Sequence, residues 1–347
     1  MKVLFILEAG IPEYRNFLFE RLAKEDSITE LLILHNGLTY GGDGEYPSKK
    51  LKYIGNSTFG FHLGVLNYIF KYDIVVSSYN LRIISCWLPV FLKKKWIFWG
   101  KGLGSNESKL VEVLRRVTAR SAWSILVYND VKKEEFVNKI GCNSEKIIAY
   151  QNTVQISNPG FRDGIRDYFT YFGRIQERKG LEDLIVEYDK YLKIRTKENK
   201  EFYKLKFVGN GDYKDHLTHV VDELKINDNV EFYDGAYSDE EIKKHFKNTV
   251  AYVSPNNVGL AVINSFAYGV PVITAKELQV GPEFFYLNNE NSFLVDKIEN
   301  IHSIFNKISD MDLNKMRSYC YNYFLSNLTA DIMYKNFYRI IQKTYNE

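Results

Sequence analysis

Twice along this chain, short continuous apolar runs alternate with helix-patterned segments, and few folds accommodate that alternation. The first series runs through KVLFILE from Lys2, ELLILHN from Glu30, DIVVSSYN from Asp73, KWIFWGKG from Lys95 and SILVYND from Ser124. Between the first two, Tyr14–Lys24 carries Phe17, Leu18 and Leu22 at helical spacing. Runs that are apolar at successive positions leave no face for water, so they belong in a parallel sheet covered on both sides by helices. A second series starts at Tyr168 and runs through DYFTYFGRI, LKFVGNG, NVEFYDG, TVAYVSP and PVITA. Between the series lies strand-like KIIAYQN, then VQISNPGFRDGIRD, which has Pro159, Gly160 and Gly164, mixed charge and no periodicity. That stretch reads as a linker. At 347 residues the chain is too long for one ordinary core. The expected class is α/β with two doubly wound, Rossmann-like domains over 1–155 and 168–325, a linker over 156–167, and a helical tail over 326–347. In that tail Ile332, Phe337, Ile340 and Ile341 form one apolar stripe. Loops at the carboxyl ends of such strands line a crevice, here Glu8–Arg15, Ser77–Asn80, Gly100–Asn106 and Asn129–Asp130.

Ser254–Thr274 reads as a Pro/Asn turn, a helix opened near Gly259, a Gly turn and a short apolar strand. A helix begun there leaves the N–H groups of Gly259, Leu260 and Ala261 unpaired at the positive end of its dipole, which suits a phosphate. Glycine at 259 lets a phosphate approach the backbone closely. Upstream, TYFGRIQERKG ends a strand and offers Arg174 as a fork of donors and Lys179 as a point charge. Two anion sites at strand ends point to a nucleotide-diphosphate ligand.

Other classes are disfavoured. A net charge of +3 is too small for a nucleic-acid binder. Three distant cysteines suggest a reducing compartment, and His216 and His219, at i, i+3, lack a third metal ligand. MKVLFILEAG reads as a strand broken at Glu8 rather than a leader, and the apolar runs fall well short of the ~20 residues of a membrane span. The expected location is cytoplasmic, with the inner face of the cell membrane as a further station. Lys93–Lys95, between WLPVFL and WIFW, reads either as a solvated helix end or as a patch meeting an anionic membrane. A dinucleotide dehydrogenase is disfavoured because the first strand leads into EAGIPEYR rather than a Gly-x-Gly-x-x-Gly turn.

FGRIQERKGLEDLI, FVGNGDY, NVEFYDGAYSDEEI and PNNVGLAVINSFAYGVPVIT, in this order, resemble the group 1 (family 4-like) retaining glycosyltransferases of the GT-B fold. The likeness is strongest from Asp167 to about Lys297. It implies two Rossmann-like domains facing a deep cleft, with a last helix that crosses back to the first domain. It implies hexosyl transfer from a nucleotide-diphosphate sugar to a glycan or lipid-linked acceptor in surface-polysaccharide assembly (O-antigen, capsule or exopolysaccharide), with retention and without a metal or other cofactor. Arg174 and Lys179 fall on the family's diphosphate segment, where they neutralise charge on the leaving nucleoside diphosphate. Gly209 and Gly211 fall on the loop near the base, and Gly235 and Tyr237 where backbone meets a base edge. Gly10 falls on a loop near the transferred sugar and acceptor, and Lys101, followed by Gly102, near the reaction centre.

The chain departs from the family at one place. The last motif usually carries two glutamates with seven residues between them, the first for the transferred sugar and the second for the ribose. Here those positions are Asn256 and Asn264. An amide still bonds a hydroxyl but gives up the charge assistance, roughly 1 kcal/mol per contact. Several alternatives stay open. Asn256 and Asn264 read equally as capping or polar surface residues, Tyr237 as a buried aromatic, Lys101 as a turn residue and His62 as structural. At the level of the whole chain, the alternative is a non-catalytic GT-B partner or glycan-binding protein.

Overall fold

The computed structural model describes all residues except 38–43, 56–58, 105–107, 161–165, 278 and 280. Part of the Gly100–Asn106 loop and the middle of the expected linker therefore lie outside the described residues. The chain forms two compact units, Met1–Gln155 with Thr329–Glu347, and Ile156–Leu328.

The first unit runs β1 (Lys2–Ile6), α1 (Asn16–Ala23), β2 (Glu30–His35), β3 (Ser48–Lys50), β4 (Tyr53–Gly55), β5 (Gly60–His62), α2 (Leu66–Ile69), β6 (Ile74–Ser78), α3 (Leu88–Phe91), β7 (Lys95–Gly100), α4 (Lys109–Ser121), β8 (Ser124–Val127), α5 (Asp130–Asn138) and β9 (Ile147–Ala149). Seven strands pair in the order β3-β2-β1-β6-β7-β8-β9, all parallel, while β4 and β5 form a separate hairpin. Alternate residues feed two cores, as a strand's period of two requires. Val3, Phe5, Ile33, Ile74 and Val76 meet α1 and the C-terminal helix (Ala330–Asn346) on one face. Leu4, Ile6, Val75, Trp96 and Phe98 meet Ala119 and Phe136 on the other. The C-terminal helix is capped by the Thr329 side chain, which accepts from Ile332 N. Its buried stripe is Met333, Phe337, Ile340 and Ile341, so Met333 takes the inward place expected for the half-buried Ile332.

The second unit runs β10 (Tyr168–Phe172), α6 (Leu181–Lys197), β11 (Lys204–Val208), α7 (Lys214–Leu224), β12 (Val230–Tyr233), α8 (Asp239–Lys247), β13 (Thr249–Val253), α9 (Ala261–Ala267), β14 (Val272–Ala275), β15 (Ser292–Val295), α10 (Ile301–Ser309) and α11 (Asn314–Asn327). Its six parallel strands are ordered β12-β11-β10-β13-β14-β15. DEEI opens α8 through a capping box between Ser238 and Glu241. The described parts of the expected linker are bonded into this unit. Ser157 N donates to Asp239 (2.8 Å), Gly160 N to Ala267 O (2.9 Å) and Asp167 N to Asn248 O (3.0 Å).

Two glycines in this unit answer to packing. The loop after β11 lies on the loop after β10, with Gly173 N donating to Val208 O and Ile175 N to Asn210 O, both at 3.0 Å. A Cβ on Gly209 would stand 1.9 Å from Gly173 O, and one on Gly211 1.9 Å from Ile175 O. The Gly209–Gly211 pair, expected to serve the nucleotide base, is thus already demanded by loop-on-loop contact.

The Lys93–Lys95 cluster is not uniformly exposed. Lys95 donates to Tyr345 O and lies over the Trp123 and Tyr345 rings, and burial lowers the pKa of Lys94. Only Lys93 stands clear.

Lys206, in the middle of β11, is 1% exposed. It donates to His245 O (2.8 Å) and to Asn248 Oδ1 (2.5 Å), and burial pulls its pKa down to about 7. Between pH 7 and the ordinary lysine value the unfolded chain holds a proton that the folded chain has lost, so this group makes stability rise with pH across that window. Below pH 7 the full penalty is present. Lys206→Met should therefore stabilise the protein near pH 6 by roughly a few kcal/mol, a gain that shrinks towards pH 9. Urea melts of both proteins across that range measure it. The same melts should show Gly209→Ala costing at least about 2 kcal/mol.

Candidate functional site

In each sheet the strand order reverses beside the first strand of the unit, between β1 and β6 and between β10 and β13. Loops leaving the carboxyl ends there diverge to opposite faces and open a crevice. The candidate residues collect at these two places.

In the second unit, β10 runs into Gly173–Ile175 and a tight turn over Glu177–Lys179. The buried Tyr171 donates to Arg174 O (2.7 Å) and braces the strand end. The Arg174 side chain points into solvent, with no hydrogen bond or ion pair among the described residues. Lys179 is half-buried and donates to Asn257 O at 2.8 Å, which ties this turn to the loop after β13. Burial lowers the Lys179 pKa, Arg178 lowers it further, and the Glu283 carboxylate opposes both. Asn256 lies against Gly180, where a Cβ would stand 2.8 Å from its Nδ2.

The loop after β13 is held from behind. Gln279 accepts from Val258 N (3.1 Å) and donates to Thr274 Oγ1 (2.8 Å) and Ala275 O (2.6 Å). The helix begins at Ala261, two residues later than Gly259, with Leu260 at its N-cap and no side-chain cap. The amides of Gly259, Leu260 and Ala261 donate to nothing among the described residues. A Cβ on Gly259 would meet nothing within 4 Å, so the fold itself does not require glycine there and the space above the backbone is open. Asn256 and Asn264 are 7% and 9% exposed, which sets aside the reading as surface residues, and neither caps α9. Asn256 Oδ1 is buried without a hydrogen-bond donor among the described residues. An orphaned buried acceptor of this kind marks a place for a ligand group or water. Tyr237 is 79% exposed, so the buried-aromatic reading fails, and its hydroxyl folds over Gly235.

Two residues of this site escape sequence reasoning. Gln279 acts only as a brace. Glu283 is a carboxylate at 7% exposure beside Lys179 and Gly281. The one signal for it is an acid directly behind the Gly281-Pro282 turn that follows the last motif strand.

In the first unit, a cavity of about 280 Å³ opens at the β1/β6 reversal. Gly10, Lys101 and Gly102 all line it, together with Trp99, Tyr128 and Tyr150. Lys101 is exposed at its edge. Glu8 is held there by Asn80 Nδ2 (2.8 Å), and its own amide donates to Ser78 Oγ (3.3 Å). His62 is 1% exposed, packs edge-on against Tyr53 and takes no part in this lining, in keeping with a structural role. His216 bonds Glu182 (2.9 Å), and no group of three metal-ligating side chains occurs among the described residues.

A family model described as glycosyl transferases group 1 matches residues 155–323. Among solved structures, the chain is similar to the apo form of the lipopolysaccharide outer core galactosyltransferase WaaB (16% identity, TM-score 0.68, 99% of each chain covered). It is similar to Anabaena HepE in complex with UDP (14% identity, TM-score 0.71, 99% of this chain and 100% of that one). A glycosyltransferase from Rickettsia africae is similar over 99% of this chain and 98% of that one (14% identity, TM-score 0.73). No curated protein matches the chain. At such identities the structures establish the shared fold, and the family match spans the second unit almost end to end. The chain thus shares the GT-B fold, and its second unit matches the group 1 glycosyl transferase model.

Proposed function

We propose that this protein moves a hexosyl group from a nucleotide-diphosphate sugar to a glycan or lipid-linked acceptor in surface-polysaccharide assembly, with retention. The observation that carries the reading is the bond from Lys179 to Asn257 O, which sets an ammonium two residues before the unpaired amides of Gly259–Ala261. A cation beside free N–H groups at a strand-order reversal suits a diphosphate. Similar solved structures support the ligand class: HepE was solved with UDP and with UDP-glucose, and TarM of S. aureus with UDP. WaaB, a lipopolysaccharide galactosyltransferase, supports the pathway class.

In this reading the bond from the sugar's anomeric carbon to the β-phosphate oxygen breaks as the acceptor oxygen bonds to the same face. The acceptor proton passes to the departing phosphate. Arg174 and Lys179 meet the charge that grows on the leaving group. Asn256 Oδ1 accepts from a sugar hydroxyl and the Asn264 amide bonds the ribose. Gly10, Lys101 and Gly102 face the acceptor, while Gly235 and Tyr237 border the base. Because Arg174 is solvated, Arg174→Ala should lower turnover by about 100-fold or more while moving stability by less than about 0.5 kcal/mol. Sugar-transfer assays beside thermal melts, after a melting screen against UDP-, GDP-, ADP- and CMP-sugars, measure both. The neutral Asn256 and Asn264 favour one other reading, a non-catalytic glycan binder. That reading wins if no nucleotide sugar raises the melting temperature.

We further infer that the first unit meets an anionic membrane, on α4 rather than on Lys93–Lys95. No helix of the described residues is long and apolar enough to cross a bilayer. On α4, however, Thr118 and Ala119 face inward while Leu110, Val113 and Val117 are 69%, 53% and 47% exposed. This apolar stripe faces water. Phe91, 77% exposed, ends the neighbouring α3, and Lys93, Lys109, Arg116 and Arg120 are exposed on the same segments. Apolar groups flanked by cations match the interface of an anionic bilayer. The triple change Leu110→Ser, Val113→Ser, Val117→Ser should cut co-sedimentation with phosphatidylglycerol-containing vesicles by at least about tenfold, at about 1 kcal/mol per inserted side chain, and leave the fold intact. Equal sedimentation with pure phosphatidylcholine, or a dimer that the triple change dissolves, would sink it.

A further inference from the structure

The cavity of the first unit is lined by a buried cation that no carboxylate among the described residues pairs with. Arg15, in the short turn before α1, is 3% exposed, yet it is joined only to neutral groups. Its guanidinium donates to Thr153 O (3.3 Å), Met333 Sδ (3.2 Å) and Asn152 Oδ1. No ion pair joins it to a carboxylate among the described residues. The rings of Tyr14 and Trp99 lie 4.9 and 5.7 Å from its Cζ, and both line the cavity, as does Arg15 itself. A buried cation among neutral partners is costly unless something negative completes it, and a guanidinium cannot escape by losing its proton. It also carries more N–H donors than its three protein bonds use.

The rest of the lining narrows the ligand. Lys101 adds a second cation at the edge, while Glu8 adds a carboxylate that accepts from Asn80 Nδ2 at 2.8 Å and makes no ion pair with Arg15, so the lining keeps one cation in excess. Trp99, Tyr128 and Tyr150 present rings, which pack well on the apolar face of a pyranose. A volume of about 280 Å³ has room for a sugar-sized group rather than an oligosaccharide.

We propose that this cavity receives a saccharide bearing an anionic group, a carboxylate or a phosphate, with Arg15 as its buried cation, Lys101 at the edge and Trp99 against the ring. The proposal rests on the acceptor side of the transferase reading and names the class of acceptor that reading leaves open. It also separates Arg15 from a purely structural clamp between Asn152, Thr153 and the C-terminal helix, since a clamp has no preference among dissolved sugars.

Calorimetric titration of the full chain with glucuronate, glucose 6-phosphate, inorganic phosphate and glucose tests it at low ionic strength. At least one anionic sugar should bind saturably and at least about tenfold more tightly than glucose, with inorganic phosphate weaker because it brings no ring. The glucuronate and glucose 6-phosphate arms tell carboxylate from phosphate. Lys101→Ala, at an exposed position that does not threaten folding, should weaken the anionic sugar at least about threefold and leave glucose unchanged. Arg15→Gln should abolish the preference, and Arg15→Lys should restore part of it. Equal binding of glucose, no binding of either anionic sugar, or unchanged binding in both Lys101→Ala and Arg15→Lys would overturn the proposal. A parallel titration with nucleotide sugars keeps the two readings apart. Anionic sugars bound without any nucleotide sugar would leave this cavity standing and remove the transferase. Turnover with neutral acceptors alone would do the reverse.

Discussion

The reversal of strand order beside the first strand of each unit fixes where chemistry can occur. β1 has β2 on one side and β6 on the other, and β10 sits likewise between β11 and β13. Each of these strands is apolar at nearly every position because helices cover both faces, so its register is set and its end cannot wander. The connections leaving the two central strands part to opposite faces, and the gap between them is where backbone N–H groups and side chains can face a ligand. Gly10 and the Ser78–Asn80 loop stand at one such gap, and the 173–180 and 254–261 loops at the other. Glycines at 209 and 211 and the Gln279 brace serve this arrangement by holding one loop on another, without contributing a reactive group.

Three buried or half-buried cations show how the chain manages charge. Lys206 sits in the middle of β11 and answers burial with a pKa pulled down to about 7. Lys179 is less deeply placed, takes the Asn257 carbonyl and keeps a carboxylate, Glu283, near enough to oppose the loss of its proton. Arg15 is as buried as Lys206 but has neither route, because guanidinium does not deprotonate and no carboxylate pairs with it among the described residues. Arg15 and Lys179 both stand at the strand-order reversals.

The central strands were legible because continuous apolar runs have one common explanation in an α/β chain. The edges were not. β3 is Ser48–Lys50, exposed at every position, and β15 is a four-residue strand behind a polar NNEN turn. β3 carries no apolar signal because all its positions face solvent, whereas β15 is mostly buried and escapes notice through its brevity. FVGNGDY was legible as a loop, but the demand for its glycines comes from the carbonyls of Gly173 and Ile175, a contact thirty-odd positions away in sequence. α4 was the least legible element. Its pattern of Leu110, Val113 and Val117 is that of any helix with a core face, and only tertiary placement shows that this face points outward. Arg15 gave no pattern and Glu283 only its place behind the Gly281-Pro282 turn, since a lone charge becomes informative only once its burial is known.

The amides at 256 and 264 acquire a physical sense from Glu283. A group 1 site with acidic residues at both positions would set two further carboxylates around the loop that Lys179 reaches. Here a buried carboxylate from the turn after β14, Glu283, stands beside Lys179, with Arg174 exposed at the end of β10. Each carboxylate exchanged for an amide removes a like charge from the neighbourhood of a diphosphate and the desolvation it would incur. On the proposed donor reading, the sugar and ribose hydroxyls would lose a charge-assisted acceptor while the phosphates would gain a more positive field. Affinity in such a site shifts from the sugar end of the donor towards its diphosphate. Discrimination between sugars must then rest more on shape, on the orphaned Oδ1 of Asn256 and on the open space above Gly259 than on ionic contacts.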